Sequence, residues 1–362
     1  MWNQTGVTQL FGITYPIIQA GMAGVSSPSL VAEVSNAGCL GTLGAGYMSP
    51  QAITRAIKDI QALTDKPFAV NLFVMQRAIA FSPELQKMQT ELAPFRKELE
   101  LTEPDAIDFE WYDLTQQVQA VIDAGVKIIS FTFGIPSSDI LSMLLESGIT
   151  IIGTATTVKE AVMIEDAGFH IVVAQGMEAG GHRASFASED ELAVQVGLMS
   201  LVPQMVDQVG IPVIAAGGIM DGRCIVAALA LGAQGVQLGS AFLLADESGA
   251  VEAYKKALLE TNDESTIVSN LFSGKPARVI ANRFTKVLHT LEDNVPPFPL
   301  QNALTSDIRK MATVVGDTDL MSMYAGQSSS LGRESSVRDL INTLLSEVAM
   351  NPFQYQDTSD QN

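Results

Sequence analysis

Short apolar runs of strand length alternate with segments of helical periodicity eight times over the first ~240 residues of the chain. The runs are Pro16 to Ala20, Leu40 to Leu43, Phe68 to Leu72, Lys127 to Phe131, Thr150 to Gly153, Ile171 to Ala174, Pro212 to Ala215 and Val236 to Gly239. Between them, Pro28 to Asn36, Pro50 to Leu63, Val158 to Ala167 and Gly222 to Leu231 carry apolar residues at helical spacing. Pairs such as Ala37-Gly38, Ala124-Gly125, Ala167-Gly168 and Leu231-Gly232 close several helical segments, as a left-handed C-cap requires. Runs this short and this apolar predict strands buried on both faces, the condition of a parallel sheet covered by helices. Eight such units in ~240 residues match the count and length of a (β/α)8 TIM-type barrel. A doubly wound open sheet shows the same alternation, and the barrel is the preferred reading.

The rhythm breaks twice. Residues from about 77 to 110, charged and carrying Pro83, Pro94 and Pro104, predict a helical insertion after the third strand. From Glu247 onward the alternation stops, and Asn294-Val295-Pro296-Pro297-Phe298-Pro299 introduces a helical part. The expected organisation is therefore a barrel over 1–246 and a helical C-terminal part over 247–362. The polar tail, Asp357 to Asn362, is expected to be disordered.

Composition narrows the function classes. No apolar stretch approaches the ~20 residues of a membrane span. No secretory core opens the chain, because Met1 to Thr5 is polar and Pro16 to Ala20 is too short. Only Cys39 and Cys224 occur, in apolar settings, which points to a reducing cytoplasm and away from disulfides or a cysteine-rich metal site. A net charge of −19 argues against a nucleic-acid partner. It also means that an anionic substrate needs a local cluster of donors.

One of three histidines, His182, follows Gly180-Gly181 just past the apolar run Ile171 to Ala174. That is a loop at the carboxyl edge of the sheet, where barrels keep their chemistry. Gly217 and Gly218 end the seventh strand, and Gln237-Leu238-Gly239-Ser240 ends the eighth. Glycines there let backbone N–H groups approach an anion, the usual barrel phosphate site. Asn71 and Gln175 end strands three and six with paired donor and acceptor groups, suited to a heterocycle edge or equally to capping a loop. Thr132 and Thr154 also end strands and are read as structural. The loop Gln19 to Val25 carries glycines, but the following strand ends in Gly44 rather than an acid, so no dinucleotide fingerprint results. His170 begins a strand at the opposite end, His289 stands alone, and no His, Cys, Asp and Glu cluster suggests a metal.

These motifs resemble the nitronate monooxygenase family, formerly 2-nitropropane dioxygenase. The resemblance rests on Pro16 to Gly24, Gly41 to Gly46, Gln175-Gly176-Met177-Glu178-Ala179-Gly180-Gly181-His182, Ala215 to Ile219 and Gln237 to Ser240. It continues into Pro299 to Asn302 and Tyr324 to Gln327. Tyr324 departs from the Trp expected there. The resemblance implies FMN across the barrel mouth, with Asn71, Gln175 and Gly180 beside its ring or ribityl edge and Gly217, Gly218 and the Gln237, Leu238, Gly239, Ser240 turn at its phosphate. It implies oxidation of alkyl nitronates, such as propionate 3-nitronate, by O2 to a carbonyl product and nitrite, with no nicotinamide donor. His182 is the implied catalytic residue, as a base toward a neutral nitroalkane or as a stabiliser of the nitronate anion. The glycine-histidine run is shared with FMN-dependent enoyl-acyl-carrier-protein reductases, the nearest alternative, and a non-catalytic flavin-binding module is the next. The residues leave homodimerisation open.

Overall fold

The computed structural model of the protein describes residues 2–75, 83–103, 112–188, 192 and 194–351. In chain order its strands are β1 (Ile17–Gln19), β2 (Gly41–Gly44), β3 (Phe68–Phe73), β4 (Ile128–Thr132), β5 (Thr150–Ala155), β6 (Ile171–Gln175) and the two-residue β7 (Gly181–His182). They continue with β8 (Val213–Ala216), β9 (Gly235–Leu238), β10 (Thr266–Ser269) and β11 (Ala277–Ile280). All eight apolar runs are strands of one parallel sheet, ordered β1-β9-β8-β6-β5-β4-β3-β2. A bridge between Ile18 and Leu40 brings β1 beside the entry to β2 and curls the sheet into a nearly closed barrel.

Strand side chains point alternately to the two faces. Ile18, Ala69, Ile128, Ile152, Ile171, Val173 and Ile214 form the barrel's inner core together with Val7 and Phe11. The latter two belong to the N-terminal helix Gly6–Phe11, which plugs the bottom of the barrel. Their neighbours in sequence, including Ile17, Val70, Ile129, Ile151, Val172, Val213 and Val236, face the surrounding helices. Both sets are apolar, which is why the strands read as continuous rather than alternating runs.

The helices start where the sequence provides caps. Ser27 and Ser49 accept the Leu30 and Ala52 N–H groups, each followed by a proline at the first helical position. They end at the expected glycines, with φ of 82° at Gly38, 79° at Gly125, 84° at Gly168 and 98° at Gly232.

Within the expected insertion, Pro83–Glu98 is a helix. Residues 77–82 and 104–110, and the tail 357–362, lie outside the described residues. Met88, Leu92 and Phe95 of that helix share a second core with Leu271, Phe272, Phe284, Ile308 and Leu320 from the end of the chain. Arg96, 2% exposed, ties the two regions by donating to the Asp307 carboxylate at 2.7 Å and the Leu304 carbonyl at 2.7 Å.

The residues after Glu247 contain helices and also the hairpin β10–β11, which the sequence does not announce. β11 pairs antiparallel with β7, setting Ala277 opposite His182 and Arg278 opposite Gly181. The last helix, Val337–Met350, returns to the barrel, where Leu340, Ile341 and Leu344 join the outer core.

Candidate active site

The barrel interior changes chemistry along its axis. Inward positions that are Ile or Ala at the bottom become Asn71 on β3, Ser130 and Thr132 on β4, Thr154 on β5, Gln175 on β6 and Gln237 on β9 at the top. All six border a cavity of about 870 Å3 at the carboxyl end of the strands, within the range of small-molecule sites.

Nine of the ten residues singled out from the sequence line this cavity. Leu238 does not, because it faces outward and is 1% exposed among the helices; only its backbone is near the mouth. Asn71 Nδ2 donates to Ser130 Oγ at 2.9 Å and Thr132 Oγ1 at 3.0 Å. Both amide hydrogens are thereby used, and Oδ1 is the atom with capacity left. Gln175 is more heavily engaged: Nε2 donates to the His182 carbonyl at 3.0 Å and Oε1 accepts the Ala184 N–H at 2.9 Å. It fixes the loop that carries His182 and retains one amide hydrogen.

Two glycine-lined corners shape the cavity wall. At Gly180, a Cβ would lie 2.6 Å from both Ala325 C and Gly326 N, so the loop lies directly against the 324–326 segment. Gly217 and Gly218 take φ of 128° and 68°, a turn closed to ordinary side chains. The helix after that turn, Gly222–Ala230, is not open to an anion. Asp221 accepts the Arg223 and Cys224 N–H groups, and the Glu347 carboxylate accepts the Gly222 N–H at 2.8 Å. The open backbone of this corner is left to Gly217, Gly218 and the Gly239-Ser240 turn. Ser240 Oγ accepts the Gly326 N–H at 2.9 Å.

His182 sits among three aromatic rings, with centroids at 5.8 Å for Phe133, 6.0 Å for Phe298 and 5.2 Å for Tyr324. Its Nε2 lies 2.8 Å from Ser273 Oγ, which also donates to the Lys275 carbonyl at 3.1 Å. With that hydroxyl proton directed at the carbonyl, the network assigns the imidazole proton to Nε2 and leaves Nδ1 as an acceptor. Burial, then the positive charges of Lys275 and Arg309, push the His182 pKa down to about 3. The ring is neutral at ordinary pH.

Several residues of this site carry no local sequence signal. Ser273 and Lys275 arrive on the β10–β11 turn, Arg309 on the helix Ser306–Val315, and Tyr47 after β2. Phe133 is held at φ 75°, an uncommon backbone for a bulky residue, and turns its ring over the mouth with Lys275 Nζ 5.2 Å from its centroid. Of the residues set aside, His170 accepts the Ile151 N–H at 3.1 Å at the barrel's far end. His289 is exposed, bonded to the Lys286 carbonyl. Glu178 and Arg183, which flank His182 in sequence, both bond to backbone: Glu178 accepts the Leu198 N–H at 2.9 Å, and Arg183 donates to the Gly176 carbonyl at 2.8 Å. Among the described residues, none of the helices is long and apolar enough to cross a membrane.

Comparison with known proteins agrees with this geometry. A protein of Staphylococcus haemolyticus named probable nitronate monooxygenase is 47% identical over 349 residues, covering 96% of this chain and 98% of that protein. One from Staphylococcus aureus is 45% identical over 348 residues, with 96% and 98% coverage. Among solved structures, the nitroalkane oxidase of Streptomyces ansochromogenes superposes with a TM-score of 0.88 at 38% identity, over 95% of this chain and 97% of the other. FabK from Thermotoga maritima gives 0.75 at 32% identity, over 96% of each chain. The sequence profile of the family described as nitronate monooxygenase matches residues 4–347. A chain matched over nearly its whole length, with a glycine-lined barrel mouth and a histidine at its rim, belongs to the nitronate monooxygenase family.

Proposed function

We propose that the chain binds FMN across the barrel mouth and oxidises alkyl nitronates, propionate 3-nitronate among them, with O2 to a carbonyl product and nitrite. Relatives named for nitronates and nitroalkanes support this substrate class. The cavity's residues suit FMN. Gly217 and Gly218 keep this corner free of side chains, and the space beside it is tight: a Cβ on Gly217 would come 3.1 Å from Ala179 N. That corner and the Gly239-Ser240 turn present backbone N–H groups to a phosphate. Asn71, Gln175 and Gly180 border the adjoining space, with the Asn71 Oδ1 acceptor and the remaining Gln175 hydrogen suited to a polar ring edge. When bound, FMN supplies the electron acceptor and the place where O2 is reduced.

The observation that carries the reading is the setting of His182, a buried ring packed among Phe133, Phe298 and Tyr324 in the cavity that Arg309 also lines. A neutral imidazole with a pKa of about 3, between Lys275 and Arg309, is a weak base in a locally cationic pocket. Such a pocket attracts an anion and is slow to remove a carbon-bound proton. A nitronate is an anion whose carbon has already lost that proton. Toward it the nearby cations supply the favourable charge, the neutral imidazole shapes the pocket, and the surrounding rings exclude water. We further propose a cytoplasmic location, in keeping with two free thiols.

The test is an absorption spectrum of the purified protein followed by oxygen uptake on adding propionate 3-nitronate. Yellow protein and oxygen consumption with nitrite release are expected. A folded, colourless preparation that takes up no FMN, or an FMN-loaded one inert to nitronates, overturns the reading. Anaerobic bleaching by NADH or NADPH would assign the reductase activity instead. With the neutral ring shaping the pocket rather than taking the proton, His182→Asn should slow a neutral nitroalkane and its nitronate by similar factors, whereas a loss confined to the nitroalkane would assign the base role. Equal losses remove the base role, and full activity on both removes His182 from the site.

A further inference from the structure

The chain carries 40 acidic and 21 basic side chains, and Arg96, Arg223, Arg283 and Arg333 each pair with a carboxylate. Arg309, which lines the cavity, is held only by neutral groups. Its Nε donates to Thr305 Oγ1 at 3.0 Å, and its Nη2 to the Asn302 carbonyl at 2.6 Å and Asn302 Oδ1 at 2.9 Å. Among the described residues no carboxylate lies within 4.0 Å of it. A guanidinium fixed at two nitrogens with its charge uncompensated is prepared for an anion.

Two further observations converge on the same place. Tyr47 borders the cavity with its Oη buried and without a hydrogen-bond partner, a donor that a ligand would satisfy. The turn that fixes Arg309 also registers it against the histidine. Thr305 Oγ1 donates to the Phe272 carbonyl at 2.5 Å, Gln301 Nε2 donates to the Leu271 carbonyl at 2.6 Å, and the next residue, Ser273, holds His182 Nε2. The run Pro299 to Asn302, noticed in the sequence without a role, thus anchors both groups.

We propose that Arg309, assisted by the Tyr47 hydroxyl, is the anion-recognition subsite that makes this cavity prefer a nitronate to the neutral nitroalkane, with Asn302 positioning the guanidinium. The inference rests on the nitronate reading above for its substrate, but not for the presence of an anion site.

The experiment uses the FMN-loaded protein, so that the phosphate corner is filled, and titrates it calorimetrically with nitrate, a planar anion shaped like the head of a nitronate. Wild type should bind nitrate, with affinity falling tenfold or more in Arg309→Gln and less in Arg309→Lys, which keeps the charge but loses the fork. In parallel, the ratio of kcat/KM for ethyl nitronate to that for nitroethane should fall at least tenfold in Arg309→Gln. Asn302→Ala should shift the same ratio less, through KM rather than kcat. Arg309→Gln binding nitrate as tightly as wild type, or losing both substrates in equal proportion, overturns the proposal. Should Arg309→Gln fail to retain FMN or fold, Arg309→Lys and Asn302→Ala decide by the same two readouts. Wild type inert to ethyl nitronate, with nitrate binding still lost in Arg309→Gln, would sink the substrate reading and leave the anion subsite standing.

Discussion

The low proton affinity of His182 has a consequence for stability that can be measured without any substrate. In the unfolded chain this imidazole takes up a proton near pH 6.5, whereas in the folded chain it resists protonation until about pH 3. Stability contributed by the neutral ring is therefore full above pH 6.5 and is lost as pH falls toward 3. Each unit within that window costs about 1.4 kcal/mol, so acidification from 6.5 to 5.0 should remove about 2 kcal/mol through this residue alone. Other groups titrate over the same range, and the comparison that isolates His182 is with His182→Gln, whose amide still reaches Ser273 Oγ. Urea unfolding at pH 5.0, 6.5 and 8.0 should show the wild type losing about 2 kcal/mol more than the variant between the first two and under about 0.5 kcal/mol between the last two. Parallel acid slopes for the two proteins, or a ring resonance of His182 titrating near 6.5 by NMR, would refute the account of a buried imidazole flanked by cations.

Two other substitutions probe the frame around the site. Gly217→Ala, forcing a side chain onto φ 128° with its Cβ 3.1 Å from Ala179 N, should destabilise the fold by about 1–3 kcal/mol. It should also weaken FMN binding at least tenfold in a fluorescence titration of the stripped protein, and an unchanged affinity would place the phosphate elsewhere. Arg96→Met leaves Asp307, 29% exposed, without its partner and should cost about 2–4 kcal/mol in denaturant melts; a loss below about 0.5 kcal/mol would show that the clamp between Pro83–Glu98 and the C-terminal helices contributes little.

The barrel was legible because its signals are local. Strands buried on both faces show as unbroken apolar runs, and the helix ends show as prolines after serine and as glycines after small residues. The change from Ile128 to Thr132, or from Ile171 to Gln175, is likewise written along single strands, so the upper rim and its histidine could be placed from residue order. The residues that set the histidine's properties could not. Ser273, Lys275 and Arg309 lie some 90 to 130 positions downstream of His182; the first two reach it beside an antiparallel pairing of only two residues from each of β7 and β11, and Arg309 arrives on the helix Ser306–Val315. Strands so short carry no periodicity to detect. Asn71 and Gln175 illustrate the intermediate case: their places were readable, but only the geometry shows Gln175 bracing its own loop.

Because β7 is completed by β11, the surroundings of His182 are shared between the middle of the polypeptide and its C-terminal part, joined by one ladder. Cutting the chain back to its eight repeating units would remove Ser273, Lys275, Phe298, Arg309 and Tyr324 together, leaving the imidazole only Phe133 of the groups that surround it. Neither segment carries the site alone, so the histidine and the groups that set its properties stand or fall as one unit.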